Sequence, residues 1–322
     1  KEGANEHGLG LLYRLQDNIR DDVVETVLLR RGWKRFEILD EDGASPIPLG
    51  QNQNHAPPGV GVNGPDCGYN LHFKRGRFVK TEFADATVEV LANRLRINHF
   101  QNSSLITHKG KLLRLMKKLK VQYGTLFGFV PEGYILPSEY TKFVKAYSKY
   151  RDENACWIVK PQNLSQGMGI SLVCDLGDLK YDCESVIQRY VDRPLLVGGF
   201  KFDLRLYVLV SRAHPMQIWL FKDGLARFST KKYQHPSSSE FSHTDLLGHL
   251  TNASIHKNSQ SYRSDKDVIG RGCKWDLKQL QQWFRDEGRP LAYYVMWERI
   301  KTVVRLSTLP LVSVLPTSVV PF

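Results

Sequence analysis

The chain reads as an α/β protein of the α+β kind, built from antiparallel-rich sheets with flanking helices. Three observations lead there: an apolar stripe of helical period between residues 109 and 124, a cluster of short β-branched runs from Trp157 onward, and further helical stretches between Leu277 and Val304. Its 322 residues suffice for one large domain or two to three small ones, and 42% hydrophobic with 24% charged residues is ordinary for a globular chain. No apolar run approaches the ~20 residues of a bilayer span. No secretory leader is recognisable, although the first residue is Lys1 rather than Met. Five cysteines (Cys67, Cys156, Cys174, Cys183 and Cys273) lie far apart without a C-x-x-C pair. An odd, scattered set predicts free thiols in a reducing compartment and argues against a zinc site.

Taken in order, residues 9–40 contain DDVVETVLLRRGWKRFEIL, a helical pattern closed by Gly32 and followed by the strand-like RFEIL. From Gly43 to Asn70, 15 of 28 residues are Gly, Pro or Asn, a composition that predicts loop. Residues 71–122 then hold twelve Lys/Arg against three Asp/Glu, so +9 of the formal net charge of +12 falls in one segment. Such a block suits nucleic acid, an anionic membrane or an acidic protein tail; a solvated basic face with no partner is the plain alternative. Within it, Leu112, Leu115, Met116 and Leu119 recur at helical spacing and predict the packed side of a helix. Lys109, Lys111, Lys117 and Lys118 are then left for a partner.

CWIVK, GISLV and SVIQRYV read as short strands, followed by KFDLRLYVLV and QIWLFKDGLARFST, where Asp223-Gly224 between apolar runs predicts a hairpin turn. Residues 234–248 are polar and Ser/His-rich, hence loop. LKQLQQWFRDEG and YYVMWERIKTVV predict helices, and Pro310, Pro316 and Pro321 forbid a long helix in the last residues.

The candidate chemistry starts at Lys160, at the end of a strand and ahead of a loop with two spaced glycines. Neither a Walker A motif nor G-x-G-x-x-G fits, because the lysine precedes the glycines and the chain re-enters a strand at Ile170. Glycines admit backbone N–H groups close to phosphate oxygens and the lysine adds a point charge. A surface lysine before an ordinary hairpin loop would carry the same pattern. In KFDLRLYVLV, alternation sends Phe202, Leu204, Leu206, Val208 and Val210 one way, and Lys201, Asp203 and Arg205 the other. The charged side suits a cleft for a polyanion, or else a self-neutralising ladder on a solvated face. Arg227 adds a cation on the returning strand, and Thr251 and Asn252 offer neutral polar groups.

In this order, WIVKP, SQGMGI, QRYV, LLVGGFKFDLRLYV, DGLARF and HLTNASI resemble the tubulin tyrosine ligase-like family of ATP-grasp ligases, which add amino acids to tubulin tails. LLRRGW, NLHF and RINHFQNSSLITHKGKLLRLM are similar to that family's amino-terminal part, so the resemblance covers roughly residues 9–305 apart from the Gly/Pro-rich insert. GCKWDL and the residue after T-N look nearest to the glutamate-adding, polyglutamylase branches.

The resemblance implies an ATP-grasp-like fold that is incomplete at its carboxy end. Its parts would be an amino-terminal segment 1–42, the loop 43–70, a basic linker domain 71–150, a central and partial carboxy-terminal portion 151–305, and a divergent tail 306–322. It implies that Lys160 contacts the ATP phosphates beneath a flap of Gln166, Gly167, Met168, Gly169 and Ile170. Gln188, Arg189, Tyr190 and Val191 would form the adenine hinge. Lys201, Phe202 and Asp203 would hold the nucleotide, with Thr251 and Asn252 near its ribose and phosphates. Free L-glutamate would be held by Arg227, Ser254 and Lys274, with Lys160 and Arg227 as the catalytic pair; Arg suits bidentate carboxylate binding.

The implied partner is the acidic carboxy-terminal tail of tubulin, held in part by the basic block in a salt-sensitive way. The implied setting is the cytoplasmic microtubule cytoskeleton, with cilium or basal body as a further site. A monomer with no membrane or nucleic-acid ligand is expected, since the block lacks interleaved aromatics. A glycine- or tyrosine-adding relative and a non-catalytic tail-binding protein are the alternatives. Three departures stand out. Gln166 replaces an arginine and Ala253 an aromatic. Nothing after Arg305 is acidic, so the family's aspartate and E-x-N ligands for Mg²⁺ have no counterpart here, and the expected metal-ligand set is none.

Overall fold

A computed structural model of the chain describes residues 11–15, 23–35, 70–74, 95–100, 102–180, 183–256, 269 and 274–313. The loop expected at 43–70, apart from Asn70, and most of the basic block before residue 95 lie outside them. Two compact units emerge: Lys1–Ser103 with Val210–Ile218 and Pro310–Phe322, and Ser104–Leu209 with Trp219–Leu309.

In the first unit, β1 (Leu12–Leu15) leads into α1 (Val23–Arg30) and β2 (Lys34–Arg35), which pairs parallel to β1. β3 (Leu71–Phe73) and β4 (Arg96–Ile97) complete the parallel order β2-β1-β3-β4. α1 ends at Gly32, whose φ of 78° suits glycine. Tyr13, Leu15, Leu28 and Leu71 are buried together beneath Val24, Trp33 and Phe73.

The second unit carries two four-stranded sheets. A short helix, α2 (Ser104–Thr107), precedes the basic helix α3 (Lys109–Tyr123). Then come β5 (Gly133–Leu136), α4 (Tyr140–Lys149), β6 (Trp157–Pro161), β7 (Ser171–Val173) and β8 (Ser185–Arg189). These four strands form an antiparallel sheet in the order β5-β8-β6-β7. Strand alternation gives it two faces. Trp157, Val159 and Ile187 pack with Phe143 and Ala146 of α4 on one. On the other, Ile135 and Val186 pack with Leu113 of α3, and Lys160, which pairs with Val186, shares that face.

The second sheet has the order β12-β11-β10-β9, from β9 (Leu196–Val197), β10 (Phe200–Ala213), β11 (Met216–Phe228) and β12 (Lys274–Asp276). A short α5 (Ala253–His256) lies between β11 and β12. α6 (Leu277–Asp286) opens on a capping box, with Asp276 accepting from the Gln279 N–H at 2.8 Å and Gln279 accepting from the Asp276 N–H at 2.9 Å. Its Leu277, Leu280 and Phe284 are buried with Ala226 and Phe228, and Phe202, Leu204 and Leu206 pack against that core. α7 (Pro290–Thr308) follows and gives way near Pro310, as the prolines require. Among the described residues no helix is long and apolar enough to cross a membrane.

Four expectations need correction. Asp223-Gly224 is no turn: β11 runs through it, and the hairpin turns at His214-Pro215 instead. Glycine is required at 224 because a Cβ there would lie 2.5 Å from the Arg205 carbonyl oxygen, while Asp223 accepts the Leu277 N–H at 3.2 Å. Cys156 and Cys174 are not free thiols; they form a disulfide across the ends of β6 and β7, where Cα atoms stand 4.3 Å apart. The buried seam of α3 runs through Gly110, Leu113 and Met116, leaving Leu112, Leu115 and Leu119 half-buried. Val208 is exposed rather than packed, because the core under β10 stops at Leu206.

Candidate functional site

Lys160 owes its position to β6. Its neighbour Val159 faces the core under α4, so its own side chain takes the α3 face. There its Nζ donates to Gln188 Oε1 at 2.9 Å, a diagonal cross-strand contact. Burial, and secondly the ammonium of Lys109, push its pKa below the usual lysine value. Among the described residues no carboxylate lies within ion-pair distance of it. A half-buried ammonium held only by an amide oxygen carries a desolvation cost that an anion would offset.

Lys201, on β10, is the second such cation. Its Nζ donates to the Tyr190 hydroxyl at 2.7 Å and stands 4.5 Å from the centre of that ring. Burial is the main cause that lowers its pKa to about 8; Asp203 works against the shift and Lys160 adds to it. The two lysines are thus near enough to repel. The Tyr190 hydroxyl also lies 3.0 Å from His249 Nδ1, a hydrogen bond whose donor is set by the histidine tautomer. Burial first and Lys201 second lower the His249 pKa to about 4, which leaves the ring neutral.

Asp203 and Arg227 line the same face of the second sheet. Arg227 Nε donates to Asp203 Oδ1 at 2.7 Å and Nη2 to Oδ2 at 2.5 Å, a bidentate pair. Asp203 is thus neutralised within the sheet, as the ladder alternative has it, but by Arg227 of β11 rather than by Lys201 or Arg205 of its own strand. Lys274 stands directly opposite Arg227 across β11 and β12, while its neighbour Trp275 packs on Phe228 in the core with ring centres 4.9 Å apart.

The loop between β6 and β7 is held from two sides. Lys109, at the start of α3, donates to the carbonyls of Pro161 (3.0 Å), Gln162 (3.4 Å) and Leu164. Ser254 Oγ donates to the Gln166 carbonyl. Gly167 has φ of 88°, and a Cβ on it would lie 2.5 Å from Ile255 Cδ1 and 3.1 Å from Asn252 Cγ. The flap is thus seated on the segment that carries Asn252 and Ser254. That segment is fixed from below by buried His256, which bonds Thr230 Oγ1 at 2.8 Å and the Leu250 carbonyl at 2.7 Å.

The expected residues therefore sort into two groups. Lys160 with Gln188, Lys201 with Tyr190, Asp203 with Arg227 and Lys274, and Gln166–Gly167 with Asn252 and Ser254 are brought together. Arg189 and Phe202 point elsewhere, since alternation sends Arg189 to Glu153 and the Tyr150 ring, and Phe202 into the core with Phe228. Met168 and Val191 are exposed. Lys109 and Lys117, expected to be free for a partner, are not: Lys109 grips the flap and Lys117 donates to Glu139 at 3.1 and 3.2 Å. Lys109, His249 and His256 were missing from the sequence-based site. A lysine where a helix begins, against the dipole, was the available signal for the first.

The described residues do not fit Mg²⁺. No group of three or more His, Cys, Asp or Glu side chains converges among them, and both oxygens of Asp203 are taken by Arg227.

Comparison with known proteins supplies the remaining observation. The model of the tubulin-tyrosine ligase family matches residues 90–315. A human protein named probable tubulin polyglutamylase TTLL2 is 31% identical over 315 residues, covering 95% of this chain and 46% of its own. Its mouse counterpart is 32% identical over 281 residues, covering 86% and 46%. Human tubulin polyglutamylase TTLL5 is 35% identical over 205 residues, covering 63% and 16%. The chain thus spans less than half the length of these relatives.

Proposed function

The chain belongs to the tubulin-tyrosine ligase family, and from that premise we propose that its cleft serves an ATP-dependent ligase adding glutamate to the acidic tails of tubulin. The observation that carries this reading is the pair Lys160 and Lys201: two half-buried cations, hydrogen-bonded only to Gln188 and Tyr190 with no carboxylate bonded to either, near a glycine flap, with Lys160 helping to lower the Lys201 pKa. A triphosphate relieves both the burial cost and the repulsion. Gln188 and the Tyr190–Val191 backbone border the base, and Thr251 and Asn252 the ribose and phosphates. Arg227 and Lys274 hold the carboxylates of free glutamate, with Asp203 releasing part of its grip on Arg227.

In the reaction so read, a γ-carboxylate of the acceptor attacks the terminal phosphorus of ATP, forming an acyl phosphate and expelling ADP. The amine of glutamate then attacks the acyl carbon, and inorganic phosphate leaves as the amide forms. Positioning and charge neutralisation dominate such phosphoryl transfer. No step is routed through Mg²⁺, because among the described residues no group of three or more His, Cys, Asp or Glu side chains converges to hold it. The microtubule cytoskeleton is the setting that this substrate implies, with cytoplasm and cilium or basal body as its compartments.

A second reading, a tail- and ATP-binding protein without turnover, is favoured by the closed Asp203–Arg227 pair. Thermal melts test the common part: ATP should raise the melting temperature, and L-glutamate should raise it further in the presence of ATP while glycine and tyrosine do not. Absence of an ATP effect would remove both readings, and a tyrosine effect would move the chain to another branch of the family. Labelled-glutamate incorporation into tubulin then separates the two. ATP-dependent incorporation lost in Lys160→Ala supports the ligase; ATP and tail binding without incorporation supports the second.

A further inference from the structure

The basic helix α3 carries no acidic residue in any of its fifteen positions. Lys109 and Lys117 are engaged internally, on the flap carbonyls and on Glu139. Lys111, Arg114, Lys118 and Lys120 remain, all exposed; the first three, spaced three and four positions apart, share one stripe, and Lys120 lies off it. Among the described residues none has a carboxylate partner; Lys111 donates to the Ser104 hydroxyl at 2.9 Å. Like charges at this spacing repel and weaken their own helix. A bound polyanion removes that repulsion.

α4 provides the contrast. Lys142, Lys145 and Lys149 are also exposed at the same spacing. There, however, Lys142 lies 3.9 Å from Glu139 and Lys149 5.1 Å from the centre of the Tyr150 ring. α4 also covers the sheet face opposite Lys160. α3 packs on the face that carries Lys160, and its first residue grips the flap. A ligand lying along α3 towards its amino end arrives at the flap; one lying along α4 does not.

We propose that Lys111, Arg114 and Lys118 form a landing strip for the acidic acceptor peptide, an extended run of glutamates guided along α3 to the flap. The inference rests on the ligase reading and names the surface by which its acceptor docks. The stripe spans about 10 Å at roughly 1.5 Å per helical residue. Same-side residues of an extended chain recur about every 7 Å, so at least two glutamates of one side face the three cations. No aromatic side chain interleaves with these cations to stack a base, which favours a peptide over nucleic acid.

The test is fluorescence anisotropy of a labelled poly-L-glutamate oligomer at low salt, with three forms of the full chain. One is the parent, one combines Lys111→Ala, Arg114→Ala and Lys118→Ala, and one combines Lys142→Ala, Lys145→Ala and Lys149→Ala, which removes equal charge. The α3 triple should weaken binding about 10- to 100-fold and the α4 triple by less than about threefold. The difference should vanish near 1 M salt, where the screening length is about 3 Å. Both triples should keep the parent's ATP-induced melting shift, which also reports that they fold. Equal weakening by the two triples overturns the strip in favour of net charge. Displacement of the peptide by a uridine oligomer of equal charge overturns it in favour of nucleic acid. Undiminished peptide binding by the α3 triple, with the ATP shift intact, removes the strip alone. A parent without any ATP shift removes the ligase reading beneath it.

Discussion

Lys201 must be charged to hold a phosphate, yet its surroundings penalise charge and bring its pKa from 10.5 to about 8. The sign of two effects follows. In the free protein the depressed value makes folding more favourable as pH rises from about 8 towards 10.5, and that contribution is lost as pH falls through 8. A bound triphosphate raises the value again. ATP affinity should therefore be flat between about pH 7 and 8 and fall above that by up to about tenfold per pH unit, with proton uptake on binding. Lys201→Met should lower affinity at pH 7 and remove most of that slope; calorimetry in buffers of different ionisation enthalpy measures both. A parent affinity that stays constant from pH 7 to 9.5 contradicts the assignment. Residue identity and strand alternation singled out Lys160, Lys201, Asp203 and Arg227 as candidates. Their partners were not legible. The neutral His249 under Tyr190 and the bidentate closure of Asp203 on Arg227 depend on which strands and loops meet, and residues 249 and 190 are far apart in sequence.

At the scale of elements, the flap depends on Lys109, which satisfies three carbonyls of a loop that has few other polar ties. Lys109→Met should orphan them and raise amide exchange across residues 162–170, with a loss of about 1–3 kcal/mol confined to the flap. Exchange that stays at the parent level would show that Ser254 and the Gly167 seat suffice. The disulfide between Cys156 and Cys174 closes a loop of 18 residues around that same hairpin. Reduction should lower stability by about 3 kcal/mol, read as a drop in melting temperature that Cys174→Ser reproduces and that reductant then no longer affects. Two titratable thiols at these positions in the untreated protein would contradict the bridge. The strand and helix pattern was readable from period and β-branching, including the alternation of Phe202, Leu204 and Leu206 towards the core along β10. Tertiary contact decided the rest. Asp-Gly at 223–224 serves a close strand approach and the start of α6, and one rotational step moved the α3 seam from Leu112 to Leu113.

For the whole molecule, the net charge of +12 is less informative than its fate. Lysines that a sequence leaves free are consumed by the fold at 109 and 117, while Lys111, Arg114 and Lys118 persist as the stripe on α3. The parallel order of the first sheet escaped the sequence because its strands are two to four residues long, too short for a period of two to show. The family was legible from the ordered motifs, since many short matches in one order are improbable by chance. The claim on which the account turns is that Lys160 and Lys201 share one triphosphate. Titration of ATP into the parent chain, Lys160→Ala, Lys201→Ala and the exposed control Lys142→Ala tests it most directly. The account predicts one site in the parent and in the control, with a melting shift of about 5 °C at roughly 100 times Kd. Each cleft variant should lose at least about tenfold in affinity, the loss of one charge-assisted contact. Unchanged ATP binding by both cleft variants would contradict it.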